Sequence, residues 1–93
     1  MNEDKIFVNL LLDRIENSKN EVDRIRECSE LFAYLSIHTS LFSHETFRNA
    51  ALKKIDQLSH PMYINRYRDI SPSLSQIFVS LMKNLREIIH YKK

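Results

Sequence analysis

The side chains of this 93-residue chain that could carry chemistry are four histidines, one cysteine and a set of arginines and tyrosines gathered in the second half. A metal ion on a helix needs two imidazoles one turn apart. His38, His44, His60 and His90 provide no such pair and no HExxH run. Arg86 and His90 stand one turn apart with three residues between them, one residue short of the separation in helical nucleases that use an arginine and a histidine on one helix. General acid–base work also needs a second polar group converging in a pocket, and the apolar faces supply none. Cys28 lies within an apolar stripe, where a thiol serves as a small hydrophobe. A single cysteine forms neither an internal disulfide nor a thiolate zinc site. Glycine is absent, which excludes phosphate-cradling loops, dinucleotide fingerprints and the nucleophile elbow. The residues therefore predict a protein that is not an enzyme and holds no metal and no cofactor.

Binding remains. Met1–Glu45 carries five basic residues against nine acidic, and Thr46–Lys93 nine basic against three acidic, within a net charge of +2. Such asymmetry points to nucleic acid or to a partner of complementary charge. Tyr63, Arg66, Tyr67 and Arg68 interleave cations with aromatics, and Val79, Lys83 and Arg86 follow at helical steps. That combination suits phosphate contact with base stacking, and it equally suits a protein interface, where tyrosine and arginine are enriched. A helix-turn-helix around Ser43 would turn Arg48, Asn49 and Lys53 toward a major groove. Asp23, Glu27, Glu30 and Tyr34 form an acidic ridge, read as a solvated face, with a docking surface for a basic partner as the alternative.

The elements that must position these groups are helices. A chain without glycine lacks the residue that tight hairpins prefer, so an all-β fold is excluded. Hydrophobic spacing predicts helices over about 3–16, 19–38, 44–59 and 72–91, with an irregular connection at 60–71 whose apolar residues pack over the core, a short helical turn being the alternative there. In the last, Leu74, Ile77, Phe78, Leu81, Leu85, Ile88 and Ile89 recur at three- and four-residue steps. Its start is marked by Ser71 before Pro72 and by a Ser73–Gln76 capping box. Ile6, Phe7, Leu10, Leu11 and Ile15 make the broad face of helix one, and Val8 and Leu12 extend it past half the circumference. Asn17 is expected as a left-handed cap, Ser18–Glu21 as a capping box, and Ser43 as an N-cap with Phe42 stapled onto Phe47. Val22, Ile25, Cys28, Leu31, Phe32 and Leu35 form the stripe of helix two, and Phe47, Ala51, Ile55 and Leu58 that of helix three.

The sequence thus predicts an all-α, compact four-helix bundle, one domain over residues 1–93, with a long C-terminal amphipathic helix. No apolar run reaches the ~20 residues of a membrane span, and the N-terminus does not read as a signal peptide, so a cytoplasmic location is expected. Size, helix content and the lack of a catalytic set are similar to those of small regulators, inhibitors and immunity proteins of phages and bacteria. The expected function is stoichiometric binding of a larger protein through Tyr63, Arg66, Tyr67, Arg68, Val79, Lys83 and Arg86. A homodimer is expected through Val8 and Leu12. The second candidate is a nucleic-acid-binding regulator using Arg66, Arg68, Lys83 and Arg86, or the helix-turn-helix around Ser43.

Overall fold

Five helices rather than four build the chain, in a computed structural model that describes residues 2–38 and 44–90. They are α1 (Asn2–Glu16), α2 (Glu21–Ile37), α3 (Glu45–Leu58), α4 (Pro61–Ile70) and α5 (Pro72–His90). Four match the expected helices to within two residues. The fifth, α4, replaces the irregular connection expected at 60–71. Its cause is a double role for Pro61. The ring disfavours helix in the residue before it, so α3 stops, and the same ring presets φ for the first position of a new helix, where no amide is needed. His60 caps that start, its Nδ1 accepting from the Met62 amide at 3.1 Å.

Ser71 and Pro72 repeat the device. The Ser71 amide donates to the Tyr67 carbonyl at 3.0 Å, closing α4. Its hydroxyl accepts from the amides of Ser73 and Leu74 at 3.1 and 3.3 Å, opening α5. One residue therefore joins two helices, as the Ser71–Pro72 pattern predicts for the second of them. Other caps differ. No described residue has a positive φ, so Asn17 is not a left-handed cap. Asn20, not Ser18, caps α2, accepting from the Asp23 amide at 2.8 Å. Ser18 is engaged elsewhere, 2.8 Å from both the Arg14 carbonyl and the Glu27 carboxylate. The Ser43 cap and the Phe42 staple lie outside the described residues.

α5 is the centre of the packing: α2, α3 and α4 all lie against it, and α1 closes onto α2 and α3. The core runs through Leu11, Ile15, Leu31, Leu35, Ile55 and Leu85, with Tyr67 stacked on Phe78 at 4.3 Å. Among the described residues no helix is long and apolar enough to cross a membrane.

The inward phase of two helices differs from that expected. On α1 the buried set is Val8, Leu11, Leu12 and Ile15, while Ile6, Phe7 and Leu10 are exposed. Val8 and Leu12, expected at a dimer seam, are 1% and 2% exposed within a single chain. A helix apolar round most of its circumference has no unique inward face in its own sequence, and the neighbouring α2 and α3 choose it. On α5, docking of α4 turns Ser75 and Met82 inward and leaves Ile77 48% exposed. The α3 stripe is as expected, with Ala51, Ile55 and Leu58 buried.

Polar bonds fix the helix directions. Tyr34 donates to Asp4 at 2.6 Å, and Arg14 faces Glu27 at 3.7 Å, so α1 and α2 are antiparallel. The Tyr34 hydroxyl holds the Asp4 carboxyl below its ordinary range, and the same bond pushes the Tyr34 hydroxyl up. The acidic ridge of α2 is thus partly a seam with α1 rather than a solvated face. Lys54 reaches back from α3 to Glu16 at 2.5 Å and Asp13 at 3.7 Å.

Candidate partner-binding site

Arg24, a residue the sequence pattern gave no reason to bury, is 4% exposed at the joint of α1 and α2. Its Nε donates to the Ile15 carbonyl and its Nη2 to the Ser18 carbonyl, both at 3.0 Å. A guanidinium can satisfy the orphan carbonyls at a helix end, and here it also fits their negative end of the dipole. Glu21 lies 3.4 Å from Nη1. The guanidinium rests 5.2 Å from the centre of the Tyr63 ring, and Arg66 lies 5.7 Å from the same ring. Tyr63 is therefore half-buried between cations of its own chain, not a free platform for a base.

Tyr67 is fully buried. Its expected place on a binding surface is a correction: the turn of α4 that carries it faces α5, where Phe78 takes its ring. Its hydroxyl has no hydrogen-bond partner among the described residues. Burial pushes it up to about 12, an effect that the nearby Arg24 partly opposes. Cys28 is buried beside this group, and burial pushes its thiol up to about 12 as well. This is the inert hydrophobe that the stripe predicted.

At 100° per residue, α4 sends Arg66 and Tyr63 to one side and Ile64 and Arg68 to the other. The predicted binding set accordingly divides. Val79, Lys83 and Arg86, on one face of α5, meet Ser59, Ile64 and Met82 around an apolar pit of about 240 Å³. Val79 is 44% exposed at its mouth. Arg86 is held in place: Nε and Nη2 lie 3.2 and 3.0 Å from Asp56 Oδ1, and Nη2 lies 3.2 Å from the Ser59 hydroxyl. Asp56 largely offsets that charge. Lys83 is exposed and makes no ion pair among the described residues, so it is the uncompensated cation of the rim. Arg68, bonded to Asn65 at 3.0 Å, stands one turn along α4 from Ile64. Ile64 and Met82 were missed by sequence reasoning, because a site shared by α4 and α5 is invisible until 60–71 is recognised as a helix.

The helix-turn-helix reading fares differently. Asn49 and Lys53 are exposed as expected, and the turn at Ser40–Ser43 lies outside the described residues. Yet α3 packs chiefly on α5 and α1, and α2 on α1 and α5, rather than on each other as that motif requires. Of the histidines, His38 stacks on Tyr34 at 4.2 Å and His60 caps α4. Among the described residues no three of His, Cys, Asp and Glu converge as metal ligands would. No protein-family model, curated protein or solved structure matches the chain.

Proposed function

We propose that the protein is a non-enzymatic regulator or inhibitor that binds a larger protein stoichiometrically, taking an apolar side chain of an acidic segment into the pit between α4 and α5. The observation that carries this reading is the pairing of an apolar floor, Ile64, Val79 and Met82, with a fixed Arg86 and an uncompensated Lys83. An apolar anchor desolvated at the centre with charges at the rim is how protein interfaces divide affinity from steering. Nucleic acid, the second reading, keeps the positive second half in its favour. It loses its stacking component, since Tyr67 is buried and Tyr63 is covered by Arg24 and Arg66.

The test uses wild-type chain, Val79→Asp and Lys83→Glu as baits in a nuclease-treated lysate of the source cells, with binding of captured protein then titrated in purified form. A one-to-one complex weakened at least tenfold by Val79→Asp, and weakened by Lys83→Glu with a flatter salt dependence, supports the reading. A complex indifferent to both substitutions places the site elsewhere. Capture that vanishes with nuclease moves the function to nucleic acid.

A further inference from the structure

On the side of α5 turned away from the pit, a shallow trough runs between α5 and α2, formed by Ile77, Ser80, Leu81, Asn84 and Ile88 with Phe32 across from them. Ile77 is 48% exposed, Ser80 and Asn84 are exposed, and Leu81, Ile88 and Phe32 are half-buried. Ser29, exposed one turn before Phe32, and Ala33, exposed one turn beyond Ser29, carry the strip onto α2. Glu87 stands at one edge, and otherwise the strip holds no charge in a chain that is 28% charged. Depletion of charge at the centre is the compositional signature of an interface.

We infer that this face pairs with a second copy of the chain, α5 against α5 in opposite directions across a two-fold axis near Met82. An isologous interface requires a patch that is complementary to itself after reversal, and this one is. Ser80 and Asn84 lie equally far on either side of Met82, so reversal sets each hydroxyl against an amide of the other copy. Ile77 and Ile88, five and six residues from Met82 on the same side of α5, come within one residue's rise of each other, and Leu81, one residue from the axis, lies beside its own counterpart. The central asparagine is the kind of polar residue that fixes register and partner number in a helix–helix seam.

The rim is complementary in charge. α2 and α5 run in the same direction, since Arg24 and Cys28 lie by Tyr67, which stacks on Phe78, while Phe32 lies by Asn84 and Ile88. The axis therefore crosses α2 near Ser29. Arg26, which also pairs with Asp23 of its own helix at 3.0 Å, and Glu30, both exposed on the outer edge of α2, then come to Glu30 and Arg26 of the other copy, so that unlike charges face each other. Glu87 comes to the edge beside Gln76 and Ile77 rather than to another carboxylate. The face is about 22 Å long and, at two helices wide, roughly 20 Å across. That places it at the small end of specific interfaces, and the dimer dissociates on dilution. The inference does not rest on the acidic-partner reading, which uses the other side of α5.

Sedimentation equilibrium from about 1 to about 100 µM tests it, a range spanning affinities suited to a small interface. The wild-type chain is expected to shift from monomer to dimer across the range. Ser80→Arg, at an exposed site that would bring two cations to the axis, is expected to stay monomeric with an unchanged far-ultraviolet circular dichroism spectrum. Ile77→Asp is expected to do the same. A wild-type chain that is monomeric throughout overturns the inference. So does dimerisation of both variants at the wild-type strength, which would put the seam elsewhere.

Discussion

At the scale of single residues, the informative side chains are those buried with their protons. Cys28, raised from 9.0 to about 12, and Tyr67, raised from 10.0 to about 12, are neutral in the folded core and ionise more readily in the unfolded chain. A group whose pKa is higher when folded contributes in full below its unfolded value, and the contribution is lost as pH rises through the folded one. Stability is therefore expected to hold to pH 9 and then fall to pH 12. The Cys28 thiol alone accounts for about 4 kcal/mol of that loss. Urea unfolding between pH 8 and 12 measures it. Cys28→Ala should cost about 1 kcal/mol at pH 8 through its small cavity and should delay the onset of the decline toward pH 10. An unchanged onset in that variant would mean that the thiol is not the group responsible. The same residues mark the limit of reading a sequence. The burial of Cys28 is written in its stripe, whereas Arg24 resembles any surface arginine until the end of α1 is found needing donors.

At the scale of elements, the joints decide the fold. Ser71 serves α4 through its amide and α5 through its hydroxyl. Ser71→Ala is expected to lose about 1 kcal/mol, the usual value of an N-cap, in urea unfolding. Ser73→Ala should lose far less, because the capping box that the sequence suggested at Ser73 is not the one used. Equal losses would contradict the assignment. The Ser71–Pro72 start was legible because both signals point the same way. Pro61 was only half legible: as the end of α3 it reads plainly, but as the start of α4 it depends on His60 supplying an acceptor, a role less usual than that of serine or aspartate. The pit inherits this difficulty. Val79, Lys83 and Arg86 could be found on α5 alone, but their apolar floor needs Ile64 from the helix that proline concealed.

At the scale of the whole molecule, the surface of 5800 Å² is close to the about 5,700 Å² expected of a free-standing folded chain of this mass. The association proposed above would thus be an addition to a fold whose surface is already that of a free-standing chain. Val8→Asp tests this. Expected from the sequence to produce a monomer, it should instead unfold the chain, since Val8 is 1% exposed and a carboxylate there would have no partner. Ile6→Asp, at a site 65% exposed on the same helix, should leave the helical circular dichroism intact. Folded Val8→Asp protein would refute the phase of α1 given by the structure. The phase was not legible because apolar residues nearly encircle α1, while on α3, where polar and apolar faces separate cleanly, the buried set was read correctly. The absence of glycine has a further consequence, in the unfolded chain. Every described joint is made without a left-handed residue, so no turn needs the one residue type that is most disordered before folding. The denatured ensemble is correspondingly narrower, and the small core has less backbone entropy to overcome. A chain of this size gains stability from conformations it never visits.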